Sequence, residues 1–175
     1  FLETQGVSLH YRFWQPAEGA YQGKVLLVHG LGGATFCWRE NIDALISEGY
    51  LVLEVDLPGS GYSDRSRGRD HSQANRSLLL WSLLDNTDNA MQGDKENDKW
   101  NLVGHSMGGG TVAQMALSNP ELTQSVVFVD GAVLTGGGSL GVLLNYPPVQ
   151  RWIEVLARNV FFIGINSQIF FPQPT

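Results

Sequence analysis

Cysteine is almost absent from this chain: Cys37 is the one thiol in 175 residues. A single cysteine excludes an internal disulfide framework and any zinc site built on a cysteine cluster, and Cys37 itself reads as a small apolar residue in a loop. Positive charge is scarce as well. Eleven Lys and Arg stand against 17 Asp and Glu, a net charge of −6, and no basic stripe gathers the few cations. Nucleic-acid affinity comes largely from neutralising phosphates, so a nucleic-acid partner is not expected. Long hydrophobic runs are missing too: the most apolar late stretch, residues 160–171, is broken by Asn166, Ser167 and Gln168 and falls short of the ~20 residues a bilayer span needs. No transmembrane segment is expected in this chain. The sequence starts at Phe1 rather than Met, so upstream residues are expected to have been removed, a signal or an anchor among the candidates, with the cytoplasm as the default location.

What remains is ordinary globular material, 43% hydrophobic and 16% charged, long enough to bury roughly 70% of the surface its unfolded chain exposes. Val7, Leu9, Tyr11 and Phe13 alternate with Ser8, His10, Arg12 and Trp14, the period of two that predicts a strand with one face on a core. Residues 1–3 ahead of Gln5-Gly6 predict a hairpin with it. His10 falls on the face away from the core and reads as a surface residue. Lys24-Val25-Leu26-Leu27-Val28 and Leu51-Val52-Leu53-Glu54-Val55 are continuous apolar runs, as expected of strands buried on both faces of a parallel sheet. Between them residues 41–48 predict a helix with Ile42, Leu45 and Ile46 on one face and Gly49 just past its end. This strand–helix–strand unit makes a predominantly parallel α/β sheet the leading architecture.

Glycines and polar residues cluster where those strands end. His29-Gly30-Leu31-Gly32-Gly33 follows the first run, and a glycine turn there lets backbone N–H groups face a cavity. Asp56-Leu57-Pro58-Gly59-Ser60-Gly61-Tyr62-Ser63-Asp64 follows the second. Asp56 and Asp64 could be paired acids, but Asp in a Pro/Gly loop more commonly accepts bonds from nearby backbone N–H groups. His71 reads as a surface residue ahead of a helix that Ser72 can cap, with Leu78, Leu79, Leu80, Trp81, Leu83 and Leu84 on its broad apolar face. A polar stretch over residues 86–99 leads to the next strand. Residues 125–130 form a further buried-type strand, and Pro147-Pro148 opens a helix with Val149, Trp152, Ile153, Leu156 and Val160 on one stripe.

The stretch with the most chemistry is Asn101-Leu102-Val103-Gly104-His105-Ser106-Met107-Gly108-Gly109-Gly110. An apolar strand runs into a Gly-x-Ser-x-Gly corner that opens at once into a helix. A strand that becomes a helix within one residue forces the central residue into a sparsely populated backbone region and lifts its side chain clear of the sheet. Glycines two residues to either side remove Cβ atoms that would collide where the two backbones pass. The bare pattern is weak, but here its strand and its helix are both present.

In these three motifs, taken in order, the sequence resembles the α/β-hydrolase superfamily, in particular its capped esterase- and lipase-like members. The resemblance implies a sheet of the α/β-hydrolase type with flanking helices, residues 1–130 forming the amino-terminal part of the core and residues 131–175 the start of a cap. It further implies Ser106 as nucleophile and the backbone N–H groups of Leu31 and Met107 as an oxyanion hole, acting on a small-molecule ester without cofactor or metal. Relatives that displace halide or open epoxides carry Asp at the nucleophile position, so Ser106 favours acyl transfer. Alternatives are a cofactor-free haloperoxidase or perhydrolase and a non-catalytic binding module of the same fold.

One element of that pattern is missing. The family order is nucleophile, acid, histidine, yet no residue after Ser106 is a histidine. Asp130 is the only Asp after Ser106 and thus the sole candidate of that type for the acid. The expectation is an amino-terminal part of a hydrolase, with the last strands and the histidine beyond it and with an exposed strand edge left at residues 126–129.

Overall fold

The computed structural model describes residues 1–17, 21–91 and 99–131. In chain order its elements are strands β1 (Leu2–Thr4), β2 (Val7–Leu9), β3 (Tyr11–Trp14) and β4 (Gly23–Val28), helix α1 (Arg39–Ser47), strand β5 (Tyr50–Val55), helix α2 (Gln73–Met91), strand β6 (Trp100–His105), helix α3 (Met107–Ser118) and strand β7 (Thr123–Val129). Short 3-10 turns precede α1 and β7. The cap expected over residues 131–175, with its helix from Pro147, lies outside the described residues apart from Gly131.

Five strands form one sheet in the order β3-β5-β4-β6-β7, with β3 antiparallel to β5 and the other neighbours parallel. The predominantly parallel sheet with flanking helices is thus the α/β-hydrolase type that the sequence implied. β4 lies at its centre. The chain passes from β4 through α1 to β5 on one side, then through α2 to β6 on the other. In sheets of this kind the reversal opens a crevice beyond the carboxyl ends of the central strands. The register pairs Val28 with Gly104, so the loop after β4 and the corner after β6 emerge side by side.

Alternation along the central strands feeds two separate cores. Leu26, Val28, Leu53, Val55 and Leu102 pack with Leu79, Leu80, Leu83 and Leu84 of α2 and Val112 and Met115 of α3. Val25, Leu27 and Val52 point the other way, onto Trp38 and Ile42. Covering both faces is why β4 and β5 read as unbroken apolar runs. Gly49 adopts φ 86° just past α1, as a helix-ending glycine does. Asn75 N–H donates to Ser72 Oγ at 3.2 Å, the cap expected at the start of α2.

The structure departs from the sequence reading of the fold in two places. The single strand expected over residues 7–14 breaks at His10: β2 pairs with β1 across a Gln5-Gly6 turn, whereas β3 joins the main sheet. Leu78, expected on the buried face of α2, is 57% exposed, because the helix packs through Leu79, Leu80, Leu83 and Leu84. The exposed strand edge expected at residues 126–129 is present among the described strands: β7 ends the strand order, and Val127, Phe128 and Val129 are exposed. Leu26 is fully buried at the centre of the sheet, and Leu26→Ala should cost about 2–5 kcal/mol. Chemical denaturation should show this as a lower midpoint with an unchanged slope.

Candidate active site

Ser106 occupies the single residue between β6 and α3, with φ 48° and ψ −118°. A non-glycine residue held at positive φ is strained, and such strain persists only where surrounding contacts fix it. Here Ser106 N–H donates to Val129 O at 3.1 Å and Gly109 N–H to Ser106 O at 2.9 Å. The glycines to either side allow the corner to close. A Cβ on Gly104 would lie 2.4 Å from Gly108 O, and one on Gly108 would lie 2.4 Å from Val28 O. Both are backbone atoms that cannot swing aside, so α3 begins directly against β4 and β6.

The loop after β4 comes to the same place. A Cβ on Gly30 would stand 2.9 Å from His105 Nδ1 and 3.0 Å from Ser106 Cβ, so only glycine lets this turn approach Ser106 so closely. Leu31, next in the turn, is 83% exposed. Met107 is the first residue of α3, where helix geometry leaves N–H groups without an intrahelical acceptor and concentrates the positive end of the dipole. Ser106, Leu31 and Met107 therefore lie on neighbouring segments at the carboxyl ends of β4 and β6. Gln73 braces the start of α3 from α2: its Oε1 accepts from Thr111 Oγ1 at 2.6 Å and its Nε2 donates to Met107 O at 3.4 Å.

Two anchors hold the turn. His29 is fully buried; its Nδ1 bonds Gly30 O at 2.7 Å, and its Nε2 accepts from Leu57 N–H at 3.0 Å. Nε2 as acceptor assigns the proton of the neutral ring to Nδ1. Burial pushes the His29 pKa below the usual histidine value, against the Gly30 bond and the Asp56 charge, with Arg76 and His105 adding to the lowering. The second anchor lies at Thr35, whose N–H donates to Asp56 Oδ1 at 2.6 Å. The turn thus hangs between residues 29 and 35, which are tied to the adjacent residues 57 and 56.

Asp56 behaves as the local acceptor expected of a Pro/Gly loop and reaches further. Its Oδ2 also accepts from Tyr62 N–H at 2.9 Å and from His10 Nδ1 at 2.8 Å. Burial alone would raise the Asp56 pKa, but the N–H groups of Tyr62 and Thr35 and the His10 ring outweigh it and hold the carboxyl below its usual range. Gly61 makes the bond possible, since a Cβ there would sit 1.9 Å from Asp56 Oδ2. Asp64, the other acid of the loop, bonds Ser66 N–H and Arg69 and takes no part in this cluster.

His10 is the residue that the sequence reading misplaced. Instead of facing solvent, its side chain is only 17% exposed. Alternation along residues 7–14 gives no signal of this, because the signal is the strand break at His10 itself. His71 is exposed, and the His105 ring lies against Gly30. Asp130, with φ 48°, is exposed just past β7, one residue beyond the Val129 carbonyl that bonds Ser106. Among the described residues no group of three His, Cys, Asp or Glu could hold a metal ion, and no helix is long and apolar enough to cross a membrane.

The comparisons with known proteins agree with this architecture. The family model for the alpha/beta hydrolase fold matches residues 24–156, most of the chain, and the chain belongs to that family. A 2-hydroxy-6-oxononadienedioate/2-hydroxy-6-oxononatrienedioate hydrolase of Cupriavidus pinatubonensis is 32% identical over 180 residues, covering 95% of this chain and 59% of that protein. Among solved structures, the meta-cleavage product hydrolase CumD superposes with a TM-score of 0.60 at 28% identity, over 74% of this chain and 44% of that one. A carboxylesterase of the thaumarchaeon Nitrososphaera gargenis shares the fold with a TM-score of 0.64 at 22% identity, over 75% and 45% of the two chains. The chain thus spans about three fifths of that curated relative and less than half of these two solved structures.

Two predictions test the site's construction. Gly104→Ala, with its Cβ driven into Gly108 O, should cost several kcal/mol, beyond the 1–3 typical of overpacking by a methyl group, read by chemical denaturation. For His29 the sign follows from its lowered pKa. The unfolded ring, near 6.5, binds a proton more readily than the folded one, so this contribution to stability is complete above about pH 6.5 and is lost as pH falls below it. The fall in melting temperature between pH 7.5 and 5.5 should therefore be steeper in the wild type than in His29→Gln.

Proposed function

We propose that Ser106 is the nucleophile of a serine hydrolase that cleaves small carboxylic esters through an acyl-Ser106 intermediate. The observation that carries this reading is the approach of the Gly30 turn to Ser106, 3.0 Å from its Cβ to a Cβ built on Gly30. That approach leaves an acyl carbonyl attacked by Ser106 Oγ between two sets of backbone donors. The N–H groups of Leu31 and Met107 would then stabilise the oxyanion, an effect on the order of 10²–10³ in rate for one such donor. Exclusion of side chains by glycine keeps those N–H groups open to the substrate.

A serine is a weak nucleophile without a base. His29 spends both ring nitrogens on the turn and its neighbouring loop, His10 faces Asp56, His71 is exposed, and His105 lies on Gly30. None of the four histidines thus serves Ser106 as base in this arrangement, and Asp130 is the only Asp after Ser106.

A second reading changes the substrate and keeps the site. The relative from Cupriavidus pinatubonensis, similar across 95% of this chain, is named for a 2-hydroxy-6-oxo-dienedioate, and such a substrate would be cleaved at a carbon–carbon bond. Turnover of 2-hydroxy-6-oxo-dienoates exceeding that of p-nitrophenyl esters would favour it. For both readings, a fluorophosphonate probe should label the full-length protein, and Ser106→Ala should abolish labelling and lower turnover by on the order of 10⁴ or more. Labelling that persists in that variant removes Ser106 from the mechanism; wild-type protein that neither labels nor turns over substrate points to a binding module.

A further inference from the structure

The geometry points to His10 as a positioning residue for the oxyanion turn, acting through Asp56. The inference rests on the Ser106 reading above and adds a residue between β2 and β3, beside the carboxyl end of β5, that acts through Asp56 rather than on substrate. One position beyond the Tyr11–Val55 pair of β3 and β5, Asp56 N–H donates to His10 O at 2.9 Å. His10 N–H donates to Ser63 Oγ at 2.8 Å, and Ser63 Oγ donates to Asp56 O at 2.6 Å. These bonds close a ring of main-chain and hydroxyl contacts around the point where the strand leaves the first hairpin. Within that ring the His10 side chain has one polar job, donation from Nδ1 to Asp56 Oδ2. An ionised carboxylate only accepts, so Nδ1 carries the proton of that bond.

The consequence reaches the turn because Asp56 is shared. Oδ2 is held by His10 and Tyr62 N–H, and this fixes the plane of the carboxylate. The plane in turn fixes where Oδ1 meets Thr35 N–H, and Thr35 is the downstream anchor of residues 30–33. Removing the Nδ1 donor leaves a fully buried carboxylate with one of its three bonds gone. Such a group turns toward solvent or takes up a proton, and either change slackens the bond to Thr35. The opposite anchor, His29 to Leu57, would still stand. The turn would stay folded yet lose its definition beside Ser106, a loss felt in catalysis more than in substrate binding.

His10 also packs between Phe1 and Tyr62, tilted to the first and edge-on to the second, with ring centroids 5.1 and 5.2 Å away, so packing and donation must be separated. His10→Phe keeps the ring and removes the donor, whereas His10→Asn keeps an N–H donor near the Nδ1 position and removes the ring. In the full-length protein, hydrogen exchange over residues 29–36 should quicken in His10→Phe and stay near wild type in His10→Asn. With p-nitrophenyl butyrate, His10→Phe should lower kcat about tenfold, below the on-the-order-of 10²–10³ cost of losing an oxyanion donor outright, with KM within about twofold, and His10→Asn should recover most of kcat. The inference is overturned if His10→Phe leaves exchange over 29–36 at the wild-type rate, or if Phe rescues and Asn does not, since packing alone would then explain the residue. Should the wild type neither label with a fluorophosphonate nor turn over an ester or a 2-hydroxy-6-oxo-dienoate, the Ser106 reading falls, and the exchange pattern still decides whether His10 holds the turn.

Discussion

The closeness of α3 to the sheet is the constraint on which the rest depends. Gly108 sits so near β4 that a Cβ would come within 2.4 Å of Val28 O, and Gly104 is as close to Gly108 O. No side chain fits at either point, and no neighbouring rotamer could make room, because the obstructing atoms are backbone. That contact sets where Ser106 must turn, why it accepts φ 48°, and why the first N–H groups of α3 open beside it. Strain at Ser106 is offset by bonds to Val129 O and from Gly109 N–H, together with burial of Gly108, Thr111, Val112 and Met115.

A second tier of contacts holds what the close approach exposes. Turn 30–33 has little side-chain packing of its own, and Leu31 projects into solvent. Its position comes from a buried neutral His29 on one side and a buried ionised Asp56 on the other. Burial penalises charge on both groups, yet they end in opposite states. His29 gives its acceptor nitrogen to Leu57 N–H, a bond available only to the uncharged ring. Asp56 gathers three donors and keeps its charge. The same low-dielectric surroundings therefore give a neutral clamp and a charged one side by side, and the difference lies in which hydrogen-bond partners each can find.

Much of this was legible in the sequence because it is local. The apolar runs of β4 and β5, the helix ended by Gly49, the cap at Ser72 and the corner at Ser106 are each decided by a few consecutive residues. Their backbone demands are carried by glycine, β-branched residues or capping hydroxyls. The strand at residues 7–14 was misread for a complementary reason. Its alternation is continuous, and a period of two records which face is apolar without recording which sheet the strand joins. His10 was assigned to the surface by that alternation, whereas Asp56 and Ser63, 46 and 53 residues away, take both its ring and its backbone N–H. Leu78 was misread because six apolar residues crowd one helix and only packing against the sheet and α3 selects the buried face.

The sequence by itself determined the sheet type, the serine corner and the glycines that allow it, since steric exclusion by a Cβ acts within a few residues of chain. Only the tertiary structure decided that β6 lies against β4 on the side opposite β5. That choice brings Gly30 to Ser106 from 76 positions upstream and delivers Thr35, Leu57 and His10 to one buried network. Strand order depends on which faces the two cores can cover at once, a property of the whole packed chain that no single stretch contains.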